Sequence, residues 1–313
     1  MKTVDSRDPA EPGQGYVNSG DPPKAGPGYA NFWKYEGTAN DFVVLEVDDP
    51  RADIDPAVVA RLCDRHLGIG ADGVLLVTPS DLGLSGRMVV RNADGSRPEM
   101  CGNGLRCVAL HLATRRGDPA SLEIETDAGP RTCRIDASKN AGGETDFFVT
   151  IDMGVIQVGE PLAVAFHGRE VSLVPVDAGN PHAVSFEGLS EDDLDALGAQ
   201  LQLSQPFPRG VNLERVVVEG GEGSGVVASV SVYERGVGRT MACGTGACAV
   251  AAALVARGVG RVDEKLTIVL PGGPLEILLQ PDGRASMRGA ARRVFAGRIA
   301  LPEAAILHAG TRA

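Results

Sequence analysis

Apolar positions along the chain come mostly in short runs separated by glycine, asparagine and proline. Phe42-Val43-Val44-Leu45, Val74-Leu75-Leu76-Val77 and Met88-Val89-Val90 read as strands, and residues 121–126, 131–136 and 146–152 alternate or cluster in β fashion. Further strands are expected at 170–176, 183–186, 213–218, 226–233, 266–270, 275–279, 284–288 and 294–301. Helices are fewer. Asp55-Pro56 supplies an N-cap and first-turn proline for a helix to about Arg65, and Ser190 caps an acidic-started helix to about Leu201. Two more helices follow glycine turns, one after Cys101-Gly102-Asn103-Gly104 and one after Cys243-Gly244-Thr245-Gly246. Residues 1–30 are rich in Gly, Pro, Asp and Ser and lack periodicity, which predicts a disordered extension with order starting near Phe32.

The pattern repeats. Asn40 and Asn180 lie 140 residues apart, and Cys101 and Cys243 lie 142 apart. Nine residues before each cysteine stand Asn92 and Glu234, each closing a predicted strand, and Asp72 and Asn212 precede their cysteines by 29 and 31 residues. A period this long is no solenoid and predicts two similar lobes, 31–152 and 153–301, with a tail at 302–313 and C-terminal strands free to return to the first lobe. Two facing lobes would bring both cysteine turns to one cleft.

Composition narrows the chemistry. With 30 basic against 41 acidic residues the net charge is −11, which argues against nucleic acid or an anionic membrane as partner. No apolar run is long enough to span a bilayer. The six cysteines form neither a C-x-x-C pair nor a zinc-spaced Cys/His cluster, so no metal is expected and the thiols suit a reducing cytoplasm.

A cysteine that opens a helix beside glycines sits where free N–H groups favour a bound anion and a thiolate. Two such thiols facing one another allow inversion at carbon, one taking the α-proton from one face while the other returns a proton to the opposite face. A redox disulfide between Cys101 and Cys243 fits the same spacing.

The segments NADGSRPEMCGNGLRCVA and VYERGVGRTMACGTGACAVAAAL resemble the two signature segments of diaminopimelate epimerases. TANDFVVLE, RHLGIGADGVLLV, DAGNPHAVSF, PRGVNLERVVVE and LPGGPLEI follow the same family in the same order, so the resemblance spans roughly residues 34–300. It implies an α+β fold of two pseudo-symmetric domains, each a mixed β-barrel around a central helix, usually as a homodimer. It also implies interconversion of LL- and meso-2,6-diaminoheptanedioate, a small-molecule substrate, without a cofactor, for lysine and peptidoglycan synthesis.

Carried onto this chain, the resemblance makes Cys101 and Cys243 the base and acid. It gives Gly102, Asn103, Gly244 and Thr245 the carboxylate at the reacting carbon, and lines the site with Asn40, Asn92, Asn180, Asn212, Glu234 and Arg235. His182 and Glu234 would tune the protonation of the cysteines. Arg235 suits a bidentate grip on a distant carboxylate. That counts against a proline or hydroxyproline racemase on the same fold, whose cyclic monocarboxylate leaves the clamp unused. A non-catalytic thiol switch or amino-acid-binding protein is the third reading. Two departures stand out: Glu36-Gly37-Thr38-Ala39 replaces the family's histidine-glycine-leucine-glycine, and Gly73 stands where some members carry a ligand-binding glutamine.

Other candidates have simpler readings. Cys63, Cys107, Cys133 and Cys248 are expected to be small buried hydrophobes. His111 reads as structural, His167 and His308 carry no motif, Asp72 suits a substrate-orienting role and an Asx-turn before Gly73 equally well, and Arg292-Arg293 reads as a solvated face.

Overall fold

The computed structural model describes residues 21–117, 120–140, 142–202, 205–220 and 225–307. The first twenty residues of the expected N-terminal extension, and His308, lie outside the described residues.

Eight strands close into a first barrel: Tyr29–Gly37, Asn40–Glu46, Gly73–Thr78, Gly86–Asn92, Ser121–Glu125, Arg131–Lys139, Thr145–Val155 and Arg284–Ala300. Helix α1 (Pro56–Cys63) packs outside it and helix α2 (Gly102–Arg116) runs through it, touching every strand of the ring. Strands sandwiched between the two helices are buried on both faces. Asn40–Glu46, Gly73–Thr78 and Gly86–Asn92 are therefore continuous apolar runs, Val44, Leu75 and Val90 facing inward while Val43, Val74 and Val89 face the α1 side. Thr145–Val155 has no helix outside and alternates instead.

The second barrel repeats the plan. Gln157–Val158, Arg169–Asp177, Pro181–Ser185, Asn212–Gly220, Val226–Glu234, Lys265–Leu270, Gly273–Leu279 and the start of Arg284–Ala300 surround helix α4 (Gly244–Ala256). The seam closes where Ile156 N donates to Gly283 O at 2.9 Å. Helix α3 (Glu191–Leu201), started by a Ser190–Asp193 capping box, packs Leu194, Leu197 and Leu201 outside. The fold is thus α+β, two pseudo-symmetric barrels each threaded by one helix. The 17-residue strand Arg284–Ala300 pairs within both barrels, and one continuous apolar core joins them.

Three local expectations shift. The helix expected to Arg65 stops at Cys63, because Asp64 leaves the helical region at ψ 122°. Order expected near Phe32 begins earlier, with the strand starting at Tyr29 and Asp21 accepting from Trp33 Nε1 at 3.0 Å and pairing with Arg115. Of the supposedly solvated Arg292-Arg293, Arg292 is exposed and meets Glu36, whereas Arg293 is largely enclosed and lies 3.5 Å from Asp21.

Candidate active site

Cys101 and Cys243 are the N-cap residues of α2 and α4, the helices at the two barrel centres. Both have extended backbone, at φ −137° and −121°. The two helix ends meet. A Cβ placed on Gly244 would lie 3.8 Å from Gly102 Cα, an ordinary van der Waals contact that brings the first turns of the two helices together. Buried Met287 fills the remaining gap, its Cε 2.8 Å from the Cβ position of Gly102 and its Sδ 3.0 Å from that of Gly244. Asn103 ties the lobes together by donating from Nδ2 to Ala242 O at 3.1 Å.

A cleft of about 1520 Å³ opens over this junction. Every site residue nominated from the sequence lines it, including Asn40, Asn92, Asn180, Asn212, Glu234 and Arg235. Thr245 Oγ1 lies 3.5 Å from Cys243 Sγ, and His182 reaches the wall through Asn180.

The two thiols differ in surroundings. Burial raises the Cys101 thiol and the Glu234 carboxylate adds to this, while Gly104 N–H, donating to its sulfur at 3.4 Å, and the Arg106 guanidinium favour the thiolate. Cys243 is pushed well above the ordinary thiol range by burial, then by the carboxylates Glu234 and Glu214. Glu234 is itself raised by burial while accepting from Thr240 Oγ1 at 2.5 Å. Glu234 thus acts on both thiols, and the difference between them is that Arg106 acts on Cys101 and Glu214 on Cys243.

The asparagines are held individually. Asn40 Nδ2 and Asp41 N donate to Asp72 Oδ2 at 2.7 and 3.0 Å, so Asp72 holds the neighbouring strand in place of the Asx-turn expected of it. Asn92 Nδ2 donates to Ser96 Oγ at 2.9 Å. Asn212 is buried and spends both ends on the framework, accepting from Arg235 N at 2.8 Å and donating to Pro181 O at 3.2 Å. It fixes the backbone of Arg235, which lines the cleft and donates from Nη1 to Arg209 O at 3.5 Å. His182 is enclosed, with Nδ1 2.6 Å from Glu214 Oε1 and Nε2 2.9 Å from Asn180 Oδ1.

The family model for diaminopimelate epimerase matches residues 32–158 and 174–294. The chain belongs to the diaminopimelate epimerase family. Membership makes it an isomerase of the epimerase type. A Synechocystis sp. protein named diaminopimelate epimerase is 39% identical over 295 residues, covering 85% of this chain and 98% of that one. Another so named, from Nostoc punctiforme, is 36% identical over 291 residues, covering 86% and 99%. Solved structures share the fold at lower identity. A Bacillus anthracis phenazine biosynthesis protein of the PhzF family aligns at TM-score 0.66 and 15% identity, covering 87% of this chain and 99% of that one. An Agrobacterium vitis hydroxyproline epimerase aligns at 0.64 and 17%, covering 88% and 94%.

Within this diaminopimelate epimerase family member, Gly73 is not part of the cleft wall. A Cβ there would stand 2.6 Å from Arg91 O, so the strands pack too closely for a glutamine without local movement. The sequence reading missed Arg106, Glu214 and Met287. The first two left a faint signal, a charged residue inside an otherwise apolar run (LRCVAL and VNLERVVV). Met287 left none, since only the meeting of the barrels gives it a role.

Proposed function

We propose that this chain interconverts LL- and meso-diaminopimelate by two-thiol inversion. The observation that carries the reading is that Cys101 and Cys243 cap the two barrel-core helices whose first glycines touch beneath one cleft. The thiolate of one cysteine takes the α-proton. The electron pair left on carbon spreads into the adjoining carboxylate, where N–H groups of the two helix ends stabilise the growing charge. The other thiol then delivers its proton to the opposite face, and the cysteines have exchanged protonation states. Arg235 grips the far carboxylate of the dicarboxylic substrate. No cofactor enters these steps, and the product serves lysine and peptidoglycan precursor synthesis in the cytoplasm.

The test is incubation with LL-diaminopimelate in deuterated water. Deuterium should enter one α-carbon as the meso isomer forms. Cys101→Ser and Cys243→Ser should each lose about two to four orders of magnitude in kcat, the range for a missing acid or base. Inversion at the parent rate by either variant would refute the two-thiol scheme. A homodimer belongs to the same proposal, supported by exposed Val294 and Phe295 on the long shared strand, and sedimentation would test it.

A further inference from the structure

Asn40 and Asn180 occupy equivalent places in the two barrels. Each lies two residues before a strand position, Phe42 or His182, that pairs in parallel with the strand after Asp72 or Val211: Phe42 with Gly73, His182 with Asn212. Two steps along, Val44 pairs with Leu75 and Val184 with Glu214. Where the first barrel has apolar Phe42 and Leu75, the second therefore has the His182–Glu214 pair. Both of those side chains are fully enclosed, and Glu214 Oε2 has no partner among the described residues. The first barrel shows that an apolar pair fits here, and a buried polar pair contributes little to stability over such a replacement. Its presence calls for a reason beyond packing.

The reason lies in what each asparagine has left to offer. Asp72 is a carboxylate and accepts only, so its 2.7 Å bond takes one N–H of Asn40 Nδ2, fixes which way the amide faces and leaves Oδ1 of this cleft-lining residue to accept. On the other side a proton sits in the 2.6 Å contact between Glu214 Oε1 and His182 Nδ1. Asn180 presents Oδ1 to His182 Nε2 at 2.9 Å, and an amide oxygen only accepts, so this arrangement puts a proton on Nε2. Either Glu214 holds the shared proton and the ring is the neutral Nε2–H tautomer, or the ring holds both protons beside a Glu214 carboxylate.

We infer that the His182–Glu214 pair locks Asn180 with its amide N–H groups toward the cleft while Asp72 locks Asn40 with its carbonyl toward it, so that the two asparagines tell a substrate's carboxylate from its ammonium. Glu214 and His182 act as positioning residues. The assignment of the ligand groups rests on the epimerase reading; the hydrogen-bond lock does not.

Long-range nitrogen–proton NMR on protein labelled with 15N-histidine tests the lock directly, His182→Gln assigning the resonance. His182 Nε2 should carry a proton at pH 7.5. A bare Nε2 overturns the inference whether or not the protein epimerises diaminopimelate, and a protonated Nε2 in a protein without turnover would sink the epimerase reading and leave the lock standing. Asn180→Asp keeps the shape but removes the donor. It should raise KM for diaminopimelate by about tenfold or more, the scale of a lost charge-assisted hydrogen bond, with a smaller change in kcat. An unchanged or lower KM would mean that Asn180 accepts from an ammonium, which overturns the orientation.

Discussion

Arg106 donates from Nη2 to Thr38 Oγ1 at 2.6 Å, joining the second turn of α2 to the hairpin turn that leads into Asn40. That turn is strained, since Thr38 and Ala39 sit at φ 58° and 56°, where residues other than glycine and asparagine are uncommon. The guanidinium is fully buried and its Nη1 has no partner among the described residues. One residue thus both pins a costly backbone conformation and places a positive charge inside the first barrel.

That charge should separate the two thiols. Five residues after Cys101 the first helix carries Arg106, whereas five after Cys243 the second carries neutral Cys248. At pH 8 iodoacetamide should modify Cys101 faster than Cys243, by about tenfold if the fields differ by one pKa unit. Arg106→Met should narrow the gap. Peptide mass spectrometry over a time course measures both rates, and equal rates would remove the electrostatic account.

Thr38→Val keeps the side-chain volume and leaves a buried charged donor without its acceptor. A loss of roughly 1–3 kcal/mol in unfolding free energy is expected. Urea denaturation monitored by the single Trp33 measures it, and a midpoint unchanged from the parent would show that the bond contributes nothing net.

Met287 packs against both helix ends at once. Met287→Ala should cost roughly 2–5 kcal/mol through the cavity it leaves. Because that cavity lies between Gly102 and Gly244, kcat should fall as well, with the fold retained by circular dichroism. Full activity in the variant would mean that the helix ends hold their spacing without it.

Alkali should weaken the fold. Burial raises Cys133 and Cys248 to about 12 and Cys63 to about 11, from an ordinary value of 9.0. Above pH 9 the unfolded chain gives up thiol protons that the native state keeps, so unfolding binds fewer protons and native stability declines as pH rises toward 12. Stability present at pH 8 should be measurably lower at pH 10.5 in urea titrations. A flat profile over that range would contradict the burial of these thiols.

Much of this was legible in the chain. Glycine after cysteine announced two helix starts, and a shared register of about 140 residues announced two similar lobes. Continuous apolar runs also marked the strands near Val44, Leu75 and Val90, since strands covered on both faces have no polar side to reveal. The N-terminal edge and the end of α1 were less visible, because Asp21 gains its ion pairs only against Arg115 and Arg293, and Asp64 ends a helix by a backbone choice that spacing does not encode.

The sequence by itself determined the strands, the helix starts and the two-lobed repeat that sets the cysteine turns in register. Hydrophobic period, turn chemistry and the paired Cys-Gly-x-Gly motifs are local, and local rules are written in neighbouring residues. Only the tertiary structure decided how the equivalent residues differ in role. Asp72 stands behind Asn40, Glu214 behind His182 and Arg106 behind Thr38, contacts between residues 32, 32 and 68 positions apart. A charge or hydrogen-bond partner acts through space and dielectric, so its effect exists only once the barrels have closed around it.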